Sequence, residues 1–313
     1  MSNDITIKKT KNQHYVPRMY LKRFGYGTDK KPKISVLFKK DGKVLHNQSP
    51  WNFASTNYFY DVPKDILEKV LKNDFDVFPE LKDNKYLQDE QFVEHALSRE
   101  EGAYNQMLND LEANSQSIYT EQTRAIFISF VHSLAYRTKS FRDMIDKMNE
   151  KTEQVLREMC DNVGLSEEDK ANSIKTNCIS GQQQQIENLV SLVPTLGTMN
   201  KLLINYNWYI AYNYTDLDFI ISDDPAKPIW LGLNDICIPI SKKLAIILRV
   251  KAKDAPLFSK DISDGNIINM SLQGVTAYNL IQIGMSQKYL FGSEKAIQCM
   301  SELNDLINNI KNK

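Results

Sequence analysis

The chain has 313 residues, is 42% hydrophobic and 25% charged, and balances 39 Lys+Arg against 39 Asp+Glu for a net charge of zero. A chain of this size buries a core without staples, and its neutral total provides no global field to gather nucleic acid, so polyanion contact has to come from a local patch. Four cysteines without CxxC spacing argue against structural zinc and a disulfide framework, and the absence of an apolar run of about 18 residues or of a signal-peptide form predicts no membrane partner and a cytoplasmic location.

The first predicted element lies in Asn12-Gln13-His14-Tyr15-Val16-Pro17-Arg18-Met19-Tyr20-Leu21-Lys22-Arg23-Phe24. Pro17 suits the opening position of a short helix, where no N–H is needed. Such a helix places Arg18 and Lys22 four apart on one face, with Met19, Leu21 and Phe24 as apolar anchors. His14 then sits near its positive end, where an imidazole pKa falls. The segment suits anion or phosphate contact, although a solvated basic arm has the same composition.

Next, Ile34–Phe38 and Lys43–His46 read as strands around an Asp41-Gly42 turn. Residues 50–61 are rich in aromatics (Trp51, Phe53, Tyr58, Phe59, Tyr60) that cover a core edge or form a stacking surface for bases. Helices are predicted from Lys64 to about Lys72, from Asp89 to Glu112, and from a Thr120 N-cap to about Asp161. The polar stretch Ser166–Gln185 reads as a mobile insert or as the start of the next helix, which runs to about Leu203. At Trp208 the period changes. Trp208–Asn213, Phe219–Ser222, Ile236–Ile240 and Leu244–Val250 read as successive strands of one sheet. A helix Met270–Gln287, a strand Tyr289–Phe291 and a helix Glu294–Lys311 close the chain. The expected class is therefore α+β: a mostly helical middle, an N-terminal hairpin, and a C-terminal mainly antiparallel sheet flanked by helices. One domain with two lobes is expected, about 1–205 and about 206–313.

Three further places concentrate polar residues. Glu94 and Glu101 are seven apart, on one helix face, able to hold a cation or orient basic side chains, and also ordinary for a solvated helix. Ser222-Asp223-Asp224-Pro225 ends an apolar strand in two acids, as a metal or general-base site does and as a plain Asp/Pro turn does. Arg137 and Arg142 follow the apolar half of the long helix, where Glu94 or Glu101 is a plausible partner for an internal ion pair. No phosphate loop, GxSxG elbow, HExxH or kinase signature is present.

Together these segments resemble an uncharacterised family, domain of unknown function 4238. The resemblance is carried by His14-Tyr15-Val16-Pro17-Arg18 with Tyr20-Leu21-Lys22 and Phe24, then by Asn57-Tyr58-Phe59-Tyr60, Glu94 with Glu101, Arg137-Thr138 with Arg142, Ser222-Asp223-Asp224-Pro225, and Ile238-Pro239-Ile240-Ser241. It covers roughly residues 12 to 290, implies which residues matter, and implies no activity.

The joint expectation is one cleft in which His14, Arg18, Lys22, Glu94, Glu101 and Asp223 do chemistry while Tyr20, Tyr60, Arg137, Ser222 and Asp224 bind. The first function it suggests is a phosphodiester hydrolase acting on nucleic acid or a nucleotide, as in a phage-defence or toxin-like effector. There Glu94, Glu101 and Asp223 hold Mg²⁺, or His14 acts as general base, and Arg18 and Lys22 stabilise the phosphorane. The alternatives are a non-catalytic module that recognises nucleic acid, a nucleotide or a protein, and a buried polar network that only holds the fold.

Overall fold

The computed structural model describes residues 9–70, 72, 76, 89–231, 235–251 and 267–311. Strand β1 (Asn12–His14) and helix α1 (Arg18–Leu21) lead through a 3₁₀ turn, Lys22–Phe24, into β2 (Tyr26–Thr28), β3 (Lys31–Phe38) and β4 (Val44–Gln48). A 3₁₀ turn Pro50–Asn52, strand β5 (Ser55–Asn57) and helix α2 (Lys64–Val70) follow. The middle is helical: α3 (Phe92–Ala113), α4 (Glu121–Tyr136), α5 (Lys139–Asn162), α6 (Glu167–Asn177), α7 (Gly181–Val190) and α8 (Leu192–Asn205). The last third holds β6 (Tyr206–Tyr212), β7 (Ile221–Ser222), α9 (Pro228–Leu231), β8 (Asp235–Pro239), β9 (Leu244–Val250), β10 (Ile267–Asn269), α10 (Leu272–Met285), β11 (Tyr289–Gly292) and α11 (Glu294–Lys311). The class is α+β, as the sequence predicts. No helix among the described residues is long and apolar enough to cross a membrane.

Besides the two-stranded β1–β5 ribbon, the described residues form two larger sheets, and one hydrophobic core runs through the fold. In the first, β9 pairs antiparallel with β6 and β8, and β10 adds to β6 in parallel. In the second, β3 pairs with β2, β4 and β11, and β11 pairs with β7. The N-terminal hairpin is thus a neighbour of the last strand. The stretch Phe219–Ser222 also departs from expectation. It is no member of the β6–β9 sheet, because only Ile221 and Ser222 extend, opposite Phe291 and Leu290 of β11.

The helix predicted to run unbroken from Thr120 to Asp161 is two helices. Arg137 is the C-cap of α4, and Thr138 turns to φ −80°, ψ 155° so that its hydroxyl accepts from the Phe141 N–H and starts α5. A threonine with a β-region backbone is an N-cap, which residue periodicity alone does not reveal. Most of residues 166–185 is likewise helical, α6 and the first half of α7 with a break at 178–180. Ser166 and Ser180 cap them through the Asp169 and Gln183 N–H groups. At Gly181 a Cβ would collide with the Arg142 carbonyl, so glycine permits α7 to meet α5 closely. The helix expected to reach Lys72 is described continuously to Val70, and Lys8 of the basic arm lies outside the described residues.

Candidate functional site

The opening stretch is fastened along its length. Strand β1 pairs with β5, His14 opposite Ser55, and the Tyr15 and Val16 N–H groups both donate to the Ala54 carbonyl (2.8 and 3.4 Å). Gln13 is fully buried, donates to Asp61 Oδ1 (2.6 Å) and the Thr10 carbonyl (3.2 Å), and accepts from the Tyr60 N–H. Pro17 stands one position earlier than expected, as N-cap, with its carbonyl accepting from the Tyr20 and Leu21 N–H groups at 3.0 Å each.

After one α-turn the chain tightens to 3₁₀, yet the Lys22 N–H still donates to the Arg18 carbonyl, so the four-residue spacing expected for Arg18 and Lys22 is kept. The Lys22 backbone bonds to Arg18 and Gly25 within the turn, and its side chain forms no hydrogen bond or ion pair with another described residue. Arg23 instead reaches α3, pairing with Glu112 and donating to Asn109 Oδ1 (2.6 Å). Tyr20 packs edge-on against Phe24 and Phe130 (5.2 Å each), and its hydroxyl donates to the Pro239 carbonyl (2.7 Å). Tyr20 is a core residue and Lys22 stands apart from the cluster described next.

That cluster is built on Arg137. The side chain at the α4–α5 junction is 1% exposed, yet its Nη2 donates to the His14 carbonyl (2.6 Å) and to Glu101 Oε1 (3.0 Å). Tyr60, wholly buried, donates its hydroxyl to the Arg137 carbonyl (2.6 Å), so it supports the site from within and presents no stacking face. Arg137 Nε and Nη1 have no hydrogen-bond partner among the described residues. Buried donors of this kind call for a ligand or water.

Two groups around Arg137 are displaced from their ordinary protonation. Burial first, then the Arg18 and Arg137 charges, push His14 down to about 4. Its Nε2 lies 3.2 Å from the Trp51 carbonyl, which only accepts, so Nε2 carries the proton and the imidazole is neutral. Glu94 moves the other way: burial pushes it up to about 7 and Glu101 adds to the rise, while Arg137 and Arg18 oppose it. Arg18 itself is exposed, and its guanidinium lies 5.5 Å from the Trp51 ring centre. His14, Arg18, Glu94, Glu101 and Arg137 are therefore brought together, with Tyr60 beneath them.

The Ser222–Asp224 turn touches this cluster through the next residue of the junction. Thr138 Oγ1 donates to Asp224 Oδ1 (3.2 Å), while Asp224 Oδ2 has no hydrogen-bond partner among the described residues and stands 3.7 Å from Lys227 Nζ. Burial raises Asp224 to about 7 against the pull of Ser140 and Lys227. Asp223 is committed elsewhere: its two oxygens accept from the Gln287 and Lys288 N–H groups at 2.8 Å each, closing the turn between α10 and β11. Ser222 accepts from the Asp224 N–H (3.2 Å) and donates to Gln282 Oε1 (2.8 Å). Among the described residues no three His, Cys, Asp or Glu side chains are grouped to hold a metal ion. The expected Mg²⁺ set of Glu94, Glu101 and Asp223 does not form, because Asp223 is already satisfied by backbone.

Residue-type reasoning missed the amides that frame the site. Gln185, fully buried, accepts from Arg142 Nε and Nη2 (2.9 and 2.6 Å) and donates to the Tyr136 and Thr138 carbonyls (2.8 and 2.9 Å). Gln91 accepts from the Thr10 N–H (2.7 Å) and donates to Asp61 Oδ1 (2.8 Å). A glutamine carries no sequence signal that separates a buried bridge from a solvated side chain.

A family model described as "Protein of unknown function (DUF4238)" matches residues 12–296. No curated protein and no solved structure matches the chain.

Proposed function

Given that the chain belongs to the DUF4238 family, whose description assigns no activity, we propose from the site itself that it hydrolyses a phosphodiester bond in nucleic acid or a nucleotide. One observation carries this reading: Glu94, half-buried and raised to about 7, faces the fully buried Arg137, which retains two unpartnered nitrogens. A carboxyl tuned to neutral pH beside donors that await an anion fits proton transfer at a phosphate.

In this scheme exposed Arg18 binds the non-bridging phosphate oxygens, and Arg137, held by Glu101, supplies a fixed positive charge from beneath them. Ionised Glu94 takes a proton from a water molecule as its oxygen forms a bond to phosphorus. The P–O bond to the leaving oxygen breaks, and that oxygen takes up a proton from solvent. Asp223 and Lys22 have no part in the scheme, and neutral His14 positions Trp51 and, through its carbonyl, Arg137. A recognition module without turnover is the second reading, favoured by the commitment of the His14 ring to a carbonyl.

The test is cleavage of single-stranded and duplex oligonucleotides and of a chromogenic phosphodiester by wild type, Glu94→Gln and Arg18→Ala. Loss of a proton-transfer group lowers the rate by about 10²- to 10⁴-fold. Cleavage by Glu94→Gln at the wild-type rate would overturn the hydrolase reading, and binding without any turnover in wild type would favour the module.

A further inference from the structure

Beside the site runs a narrow exposed strip that its chemistry leaves unused. The β1–β5 ribbon turns Gln13 into the core and leaves Asn12, Thr56 and Asn57 exposed. An exposed aromatic ring stands at each end: Trp51 (40% exposed) beside His14, and Tyr58 (49% exposed), whose N–H donates to the Lys11 carbonyl (2.8 Å). Both are rigidly mounted. Trp51 belongs to a 3₁₀ turn begun by Pro50, with Ser49 Oγ accepting from its N–H. Tyr58 holds the left-handed backbone, φ +54°, as does Ala54 at +53° on the other side of β5. Left-handed geometry is strained at a bulky non-glycine residue, and such positions gather at ligand sites. Exposed Arg18 supplies a cation 5.5 Å from the Trp51 ring centre, and Lys11, also exposed, is tied to Tyr58 through its backbone carbonyl.

We propose that this strip docks single-stranded nucleic acid, with one unpaired base stacked on Trp51 and another on Tyr58. The inference rests on the phosphodiester reading and names its substrate class. Arg18 and Lys11 meet the phosphates, and the amides of Asn12 and Asn57 face the base edges. Three strand residues span about 10 Å between the two mounts. Ring faces of this kind are reached only by unpaired bases, since a duplex keeps its bases stacked inside, and alternation of aromatic and cationic side chains is how single strands are held. The Trp51 end continues directly into the Arg18–Glu94–Arg137 site, so a strand held on the strip delivers its backbone to Glu94 and Arg137.

The experiment is fluorescence anisotropy with a labelled short single strand, its duplex and a mononucleotide, on wild type, Trp51→Ala, Trp51→Phe and Tyr58→Ala. The single strand is expected to bind most tightly. Trp51→Ala weakens it by about 5- to 150-fold, as loss of one base–aromatic stack does, and Trp51→Phe retains most of the affinity. Equal binding of duplex and single strand, unchanged affinity in both alanine variants, or equal competition by inorganic polyphosphate would each overturn the proposal. Hydrolysis of a small chromogenic phosphodiester separates it from the reading on which it rests. Glu94-dependent turnover of that compound with Trp51-independent strand binding removes the strip alone. Trp51-dependent strand binding without turnover by wild type removes the hydrolase alone.

Discussion

Arg137 and Glu101 meet where three separate parts of the chain come together. Through a single nitrogen the buried guanidinium reaches both the Glu101 carboxylate on α3 (3.0 Å) and the His14 carbonyl of β1 (2.6 Å). The N-terminal strand, the third helix and the α4–α5 junction are therefore linked through one guanidinium.

Removing Glu101 leaves Arg137 buried without its counter-charge. Glu101→Ala is expected to lower unfolding stability by about 2 to 4 kcal/mol, at or below the usual cost of breaking a buried pair because the Glu101 side chain is 26% exposed and water can approach it. The double variant Glu101→Ala/Arg137→Met recovers part of that loss. Urea unfolding of wild type, Glu101→Ala, Arg137→Met and the double variant checks both statements, and additive losses would show that the pair is not coupled.

Asp224 makes stability depend on pH in a defined direction. Its folded pKa, about 7, lies above the ordinary carboxyl value, so the stability it contributes is fully present at acid pH and is lost as pH rises toward and through 7. His14 acts oppositely: its folded value, about 4, lies below 6.5, and its contribution is present above 6.5 and lost as pH falls through 4. Asp224→Asn relative to wild type isolates the first effect. The variant is expected to gain relative stability between pH 5 and 8 in thermal or urea unfolding, and a flat difference would sink the assignment.

Gln185 carries four hydrogen bonds, two to Arg142 and two to backbone carbonyls at the helix break. Gln185→Leu keeps the volume and leaves those groups unpaired, at a cost of about 3 kcal/mol or more. Faster hydrogen exchange at the Phe141 N–H, the bond that starts α5, is the local signature.

If Glu94 is the base, kcat/KM of the proposed hydrolysis rises about tenfold per pH unit below 7 and levels above it. Glu94→Gln abolishes that dependence together with the rate. A profile in wild type that is flat from pH 5 to 8 would show that another group transfers the proton.

Several parts of this architecture were legible without coordinates because they rest on local chemistry. The Asp41-Gly42 hairpin, the β6, β8 and β9 strands, and the helix bearing Glu94 and Glu101 follow from turn residues and from periods of two and 3.6. The pairing of Arg137 with one of those glutamates was also foreseeable, since an arginine beyond a buried segment needs a carboxylate. The break at Thr138 was not, because its cause is non-local: Tyr60, Gln185 and Asp224 take up the hydrogen bonds there.

What the sequence by itself determined is the class of elements, their order, and the set of charged residues worth following. Which of those charges meet was decided only by the tertiary structure. Burial raises the pKa of both Asp223 and Glu94, but backbone N–H groups satisfy the two Asp223 oxygens, while Glu94 is left half-buried against Arg137. The physical reason is that a carboxyl's protonation and reactivity are set by desolvation and by neighbours drawn from distant parts of the chain, none of which is encoded at its own position.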